Sequence, residues 1–212
     1  MKLSEQTVNI LKNFSTINQN ILVKEGSELQ TMSTMKNILG TANVSEAFPR
    51  DFGIYDLNEF LGVLTLVNDA EIEFKDSYLT VNGGKTKVRY FYSDPSILTT
   101  PPETFNPPEC DVTFEVSKTV LTNVLKASAV MQLPDVVFTT GKIKATDLKN
   151  TTSNNFTEDL ITTGDFEFRF KADNLKMILG DYTVSASTEA GVSNWVGKEA
   201  TYWIAMEATT TD

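Results

Sequence analysis

The chain has 212 residues, a formal net charge of −10 and 41% hydrophobic residues, enough apolar content for packed cores. It contains no histidine and one cysteine, which excludes histidine-ligated zinc sites, Ser-His nucleophiles and internal disulfides. No apolar run reaches the length of about eighteen residues that a membrane span needs, and the N-terminus has no signal-like stretch, so we expect a cytoplasmic protein.

The first half of the chain begins with an amphipathic helix. Apolar Ile10 and Phe14 recur at helical spacing, which predicts a helix over residues 4–17. A shorter helix is predicted over 57–67, after the capping residue Asp56. Short strands are expected over 20–25, 28–34, 37–45, 48–55, 70–75, 78–82 and 86–92, with a hairpin turn at Gly83-Gly84.

Residues 94–109 contain five of the seven prolines of the chain. Proline has no N–H to donate to a sheet, so this stretch predicts an extended connector rather than a strand. It lies midway along the chain. We therefore predict a domain over residues 1–93, the connector, and a second domain over 110–212.

The second half repeats the order of elements. A long helix is predicted over 118–131 and a short one over 174–179. Phe166, Phe168 and Phe170 alternate with charged residues, which predicts an antiparallel sheet with one buried face. Strands are expected over 111–117, 135–140, 142–148, 164–171, 181–188 and 201–208, and the polar run 151–157 is interpreted as a loop.

The two halves also match in sequence. Residues 9–12 (NILK) correspond to 123–126 (NVLK) at an offset of 114, and the short helices match at an offset of 118. These matches predict two similar domains in tandem, although matches this short can also arise by chance. The exposed faces of the long helices carry lysines and almost no acids, in a chain with a surplus of acids.

Three acidic residues alternate at the start of one predicted strand. Asp69, Glu71 and Glu73 can gather a divalent ion, or they can form the solvated face of an antiparallel strand. The first alternative predicts a magnesium-dependent hydrolase. No other motif in the sequence indicates catalysis.

Three stretches resemble one known family. They are residues 1–4 (MKLS), residues 54–62 (IYDLNEFLG) and residues 180–182 (GDY). In these stretches the chain resembles the sliding clamps of T4-like bacteriophages, which are the processivity factors of phage DNA polymerases. The likeness is weak over residues 20–50 and 94–160.

The resemblance implies a fold and a function. The implied fold is α+β, the DNA-clamp fold, with two similar domains that each pack two helices on antiparallel sheet. The implied function is that of a homotrimeric ring that encircles double-stranded DNA and tethers the replicative polymerase in the cytoplasm of an infected bacterium. A clamp loader is an expected partner, whereas catalysis, a cofactor, a metal and a membrane are not expected. The alternative is a β-rich phage structural protein that does not encircle DNA.

The resemblance also implies the residues of three sites. The residues expected to face DNA are Lys2, Lys12, Lys118, Lys126 and Lys176. The residues expected to form an apolar pocket between the domains for a partner peptide are Ile38, Leu39, Val44, Ile97, Leu98, Met206 and Ala208. The sheet edges expected to join neighbouring subunits are 86–93 and 154–162. Ser128 and Ala129 stand where relatives have basic residues, so weaker contact with DNA is expected.

Overall fold

The structure is a computed structural model that describes residues 1–208, and it divides into two compact units. The first unit is Met1–Glu103 and the second begins at Thr104, within the proline-rich stretch. Helices and antiparallel sheets occur in both, which confirms the predicted α+β class. No helix among the described residues is long and apolar enough to cross a membrane.

The first unit contains two α-helices, a short 3-10 turn (Pro95–Ile97) and seven strands. The helices are α1 (Glu5–Ile17) and α2 (Leu57–Leu66). The strands are β1 (Ile21–Val23), β2 (Gly26–Met32), β3 (Ile38–Phe48), β4 (Phe52–Ile54), β5 (Glu71–Phe74), β6 (Tyr78–Gly83) and β7 (Thr86–Phe91). Strand β1 pairs with β4, β2 pairs with β3, and a three-stranded sheet has the order β5-β6-β7.

Helix α1 forms because its apolar residues lie on one face and its first turn is capped. Ile10 and Phe14 are fully buried against β2, β3 and α2, and burial of side chains of this size stabilises the fold by about 1.5–3 kcal/mol each. The Ser4 side chain accepts a hydrogen bond from the Thr7 N–H at 3.2 Å, which closes the N-terminus of the helix.

Helix α2 and the β6–β7 hairpin confirm two local predictions. The Asp56 side chain accepts a hydrogen bond from the Glu59 N–H at 3.0 Å, and this bond lowers the pKa of Asp56. Gly84 lies in the hairpin turn with a φ of +56°, in the left-handed region where glycine carries no Cβ penalty.

The second unit contains one α-helix and eight strands among its described residues. The helix is α3 (Lys118–Met131). The strands are β8 (Val112–Val116), β9 (Asp135–Thr139), β10 (Lys142–Thr146), β11 (Phe156–Asp159), β12 (Glu167–Lys171), β13 (Tyr182–Ser187), β14 (Val192–Gly197) and β15 (Thr201–Ala205). They form antiparallel sheets ordered β11-β10-β9-β12 and β8-β13-β14-β15.

The core of the second unit is aromatic. Phe168 and Phe170 are buried, as their alternation with charged residues predicts, and the Phe170 and Trp195 ring centroids lie 5.8 Å apart at 78°. Helix α3 packs on β9, β10 and β11 through Leu121 and Val124, which are fully buried.

The predicted helix at residues 174–179 is wrong. The segment has a short 3-10 turn, Ala172–Asn174, and continues without a helix. Leu175 and Met177 are both buried. In a helix, two side chains at this spacing would point in nearly opposite directions and could not both enter the same core. The Ile178 N–H donates to the Tyr202 hydroxyl, and its carbonyl accepts from the Tyr182 hydroxyl, so side chains take the bonds that a helix needs. Six residues are also too few to nucleate a helix alone.

Some of the strand predictions are also wrong. Strand β11 begins inside the run 151–157 that was interpreted as a loop, and strand β12 begins at Glu167 rather than at 164. Strand β14 was not predicted, because Ser193 and Asn194 interrupt its apolar pattern. Each of these strands is held by its neighbours in the sheet, and those pairings are not visible in a local pattern.

One buried carboxylate links α1 to β3. Glu46 accepts hydrogen bonds from the Ser4 N–H and from the Thr7 hydroxyl at 2.5 Å. Burial by itself raises the pKa of Glu46, but the hydrogen bonds from Thr7 and Ser4 outweigh it, and the net pKa is lowered. The negative charge also lies at the positive end of the helix dipole.

We expect Glu46→Gln to lower the free energy of unfolding by about 1–3 kcal/mol near neutral pH, because an amide is a weaker acceptor for these donors. A carboxylate whose pKa is lowered by folding stabilises the fold at pH values above the pKa of glutamate in the unfolded chain, about 4.3. This contribution is lost as the pH falls through the pKa of the group in the folded state. The deficit should therefore shrink in acid. Urea unfolding at several pH values measures it, with exposed Glu189→Gln as the control. A deficit independent of pH would contradict the role of the charge.

Candidate functional site

The exposed faces of α1 and α3 are polar and carry lysine. The buried positions of each helix fix which residues point outward, and Lys12, Lys118 and Lys126 are exposed. None of the three forms an ion pair within residues 1–208. The only acidic side chain on α1 is Glu5, and α3 has none. These faces can therefore attract anions although the whole chain is acidic.

Helix α3 has 14 residues, and Lys118 and Lys126 are its only basic side chains. Ala129 and Val130 lie on the exposed side, and Val130 is 75% exposed. The Lys118 N–H donates to the Asp181 carboxylate at 2.7 Å, which brings one negative charge to the start of the helix. Contact with a polyanion along this face depends on Lys118 and Lys126.

The exposed side of α2 carries no cation. Its exposed residues include Asn58, Glu59, Thr65 and Leu66, and Leu66 is 70% exposed. A surface of this kind can lie beside a polyanion but provides no charge attraction to it.

The other two lysines of the predicted DNA-facing set differ from these three. Lys2 precedes α1, and its ammonium lies 2.8 Å from Asp69 and 3.9 Å from Glu71. The hydrogen bond to Asp69 raises the pKa of Lys2. Lys176 is exposed but lies in the irregular segment after the 3-10 turn rather than on a helix. The structure thus places only three of the five lysines on helix faces.

The carboxylates considered as a metal site are occupied by basic partners. Asp69 and Glu71 face Lys2, and Glu73 lies 2.6 Å from the ammonium of Lys75. Within residues 1–208 no group of three or more His, Cys, Asp or Glu side chains could hold a metal ion.

The predicted peptide-binding residues of the first unit differ in exposure. On β3, Ile38 and Val44 are buried and Leu39 is half-buried. In the following stretch Leu98 is buried at 8% exposure, whereas Ile97 is 60% exposed. Of the predicted peptide-binding residues in this unit, a partner can therefore reach Leu39 and Ile97.

The predicted peptide-binding residues of the second unit line a small cleft. Met206 and Ala208 line a cavity of about 330 Å³ together with Phe168. Backbone hydrogen bonds hold this segment, because the Met206 N–H donates to the Gly191 carbonyl and the Glu207 N–H donates to the Arg169 carbonyl, both at 2.8 Å.

Strand β7 is the basic edge of its sheet. Lys87 and Arg89 are exposed on it, and Phe91 is 61% exposed. The Arg89 guanidinium lies 4.7 Å from the centre of the Tyr78 ring, and the Phe91 ring lies 5.6 Å from the same ring. This edge combines cations with a large apolar side chain.

Strand β11 is the acidic edge of its sheet. Asp159 is exposed, and Asn123 on α3 donates to Oε1 of Glu158 at 3.2 Å. Oε2 of Glu158 is buried and has no hydrogen-bond partner among residues 1–208. A buried acceptor without a donor costs about 1–3 kcal/mol.

An apolar cleft of about 540 Å³ lies next to the β11 edge. Phe114 and Val120 line it together with Leu160 and Ile161, which follow β11 directly. Ile161 is 96% exposed. Ile161 lies within the predicted edge 154–162, but its residue type gives no sign of this exposure, because an apolar side chain can occupy a core position or a surface one.

Comparisons with known families identify both units. The model of a family described as DNA polymerase processivity factor matches residues 2–99. The model described as the C-terminal part of the gp45 sliding clamp matches residues 113–208. The two matches lie in tandem.

Individual relatives agree with these matches. The sliding clamp of Vibrio phage KVP40 is 34% identical over 223 residues, which cover 98% of this chain and 100% of that protein. The sliding clamp of Enterobacteria phage T4 is 32% identical and covers 100% of this chain and 99% of that protein.

Solved structures share the fold. The PCNA of A. fulgidus bound by the C-terminal region of FEN-1 has a TM-score of 0.71 at 15% identity and covers 96% of this chain and 95% of that one. A DNA polymerase sliding clamp of Pseudomonas aeruginosa has a TM-score of 0.70 at 10% identity. That match covers 98% of this chain and 64% of the bacterial one. The predicted clamp fold is confirmed.

Leu98 and Ile97 form a matched pair for separating structure from binding. We expect Leu98→Asp to lower the free energy of unfolding by more than about 2 kcal/mol, because it buries a charge. Ile97→Asp should change it by less than about 0.5 kcal/mol, because that side chain is already in solvent. Urea denaturation followed by circular dichroism measures both. Equal losses would contradict the difference in burial.

Proposed function

The chain belongs to the sliding-clamp family of DNA polymerase processivity factors, and from this membership we propose that three copies close into a ring around duplex DNA. The ring holds a phage DNA polymerase on its template in the cytoplasm of the infected bacterium. The observation that carries the proposal is the tandem match of both family domains, over residues 2–99 and 113–208.

In this proposal DNA passes along the exposed faces of α1, α2 and α3. Lys12, Lys118 and Lys126 contact phosphates without reading bases, which lets the ring slide. Three cations per copy give weak attraction, and a closed ring tolerates that weakness because it leaves DNA only when it opens. The net charge of −10 per copy limits nonspecific binding to DNA, so we propose that a clamp loader places the ring.

The proposed contact between copies joins β7 of one copy to β11 of the next. Both are edge strands, and their pairing continues a sheet across the contact. The charges of the two edges are opposite, with Lys87 and Arg89 on β7 and Asp159 on β11. A head-to-tail contact of this kind closes into a ring when the rotation that relates neighbouring copies is a whole fraction of a full turn.

Apolar groups also support this contact. Phe91 projects from the β7 edge, and the cleft beside β11 offers Phe114, Val120 and Ile161. Burial of Phe91 and Ile161 removes two exposed hydrophobic residues from water.

The proposed polymerase contact uses the accessible members of the predicted peptide-binding set. Leu39 and Ile97 in the first unit, and Met206 and Ala208 in the second, each offer apolar surface to a hydrophobic peptide. Ile38, Val44 and Leu98 are buried and offer little surface to a peptide. Tethering is a binding function, so we propose no catalytic step and no cofactor.

The ring predicts a particular mass in solution. Light scattering should give three times 23.5 kDa at micromolar concentration. Ile161→Asp should reduce this to the monomer mass, because a charge in the apolar cleft opposes assembly. Met35→Asp is the matched control, since Met35 is 81% exposed on the turn between β2 and β3. A wild-type monomer, or an Ile161→Asp trimer, would contradict the proposed contact.

The helix faces predict a defect that depends on charge. Replacing Lys12, Lys118 and Lys126 together with alanine should leave the unfolding free energy within about 0.5 kcal/mol per site, because all three are exposed. Processive synthesis by the polymerase should fall, as it does when salt is raised, since fewer phosphates are neutralised. Primer-extension length at several salt concentrations measures this. Full processivity of the triple variant at every salt concentration would contradict the proposal that these three lysines contact DNA.

A further inference from the structure

The first unit contains a groove of about 530 Å³ beside strand β2. One wall is formed by β2, with Glu28 and Gln30, and the other by the proline-rich stretch, with Pro101 and Pro102. Its volume lies in the range of ligand sites, about 300–1,000 Å³. None of the residues assigned above to DNA, to the polymerase or to the neighbouring copy lines it.

The wall formed by β2 is an open sheet edge. The Ser33 N–H donates to the Ile38 carbonyl at 2.9 Å, so Ser33 faces β3 and the alternation of an antiparallel ladder turns the backbone of Met32, Gln30 and Glu28 away from β3. The Asn18 side-chain amide donates to the Met32 carbonyl at 2.8 Å. Among residues 1–208, no strand pairs with β2 on this side, so the backbone of Gln30 and Glu28 opens into the groove.

The opposite wall cannot fill this edge itself. Pro101 and Pro102 have no N–H to donate to β2. The stretch is anchored just before them, because Leu98 is buried and the Thr99 N–H donates to Oδ1 of Asn20 at 3.0 Å. The wall is therefore fixed beside the edge without pairing with it, and the groove is already formed in the free protein.

The groove is negatively charged. Glu25, Glu28 and Glu103 line it and are exposed. The only cation in the lining is Lys24, which is engaged by Asp51 at 3.1 Å. The groove thus combines backbone groups that accept a strand with carboxylates that attract positive charge.

We propose that this groove binds an extended, lysine-rich segment of a partner protein, which adds to the edge of β2 as a strand. Its backbone pairs with Gln30 and Glu28, and its cationic side chains lie against Glu28 and Glu103. Every second side chain of a strand points the same way, so a segment with lysine at alternate positions fits both requirements. This inference goes beyond the ring function and does not depend on it.

Fluorescence anisotropy of the full chain with a labelled peptide of alternating lysine and valine tests the proposal. Two further peptides are controls, one with glutamate in place of lysine and one N-methylated on the strand edge that would face β2. We expect the lysine peptide to bind, with an affinity that falls as salt is raised, and the two controls to bind at least about tenfold more weakly.

Two variants of the chain test the residues. Glu28→Gln combined with Glu103→Gln should weaken binding of the lysine peptide about tenfold, whereas exposed Glu189→Gln should not. Gln30→Pro should abolish strand addition and still fold, because proline is tolerated at an edge position whose N–H faces away from the neighbouring strand. Circular dichroism checks folding. The mass by light scattering reports assembly separately, so failure of the groove and failure of the ring are distinguishable.

Three results would overturn the proposal. Equal binding of the N-methylated peptide would exclude strand addition, and equal binding of the glutamate peptide would exclude recognition by charge. No detectable binding of the lysine peptide would mean that the glutamates and prolines serve only to prevent other chains from pairing with the exposed edge of β2.

Discussion

The two long helices are each held by one buried face, and the exposed surfaces of the molecule depend on this constraint. Helix α1 buries Ile10 and Phe14, and α3 buries Leu121 and Val124. Because an α-helix has 3.6 residues per turn, the burial of one face fixes the direction of the other side chains, and the lysines of both helices point away from the sheets. Glu46 adds a second restraint on α1 by accepting hydrogen bonds from its first turn. A chain with a net charge of −10 thereby presents three lysines on helix faces, where a clamp contacts DNA in our proposal.

The edges of the antiparallel sheets are a second constraint, because an edge strand has unpaired backbone groups that another chain can bind. The edge strands β7 and β11 carry opposite charge, and apolar side chains lie beside them. In the proposed ring each edge is covered by the other, which explains why Phe91 and Ile161 are exposed in a single copy. The edge of β2 is different, because glutamates and prolines surround it. That chemistry favours a transient cationic partner over a permanent contact.

The sequence predicted elements well where the local pattern is long and strongly periodic. Helix α3 spans Lys118–Met131, as its apolar spacing predicts. The segment 174–179 was wrongly predicted, because tyrosine hydroxyls from elsewhere in the fold take its backbone bonds. The site residues were harder, since residue type does not distinguish buried Leu98 from exposed Ile97. The pairing of Lys2 with Asp69 joins positions 67 apart and has no local signal.

The central claim is that the chain retains DNA by enclosing it rather than by binding it tightly. Retention of the loaded protein on circular duplex DNA, compared with the same DNA after a single cut, tests this directly. The account predicts that the protein stays on the circle at salt concentrations that abolish phosphate contacts, and that it slides off once the cut creates free ends. Equal retention on the cut and uncut DNA, or loss from the circle as salt is raised, would contradict it.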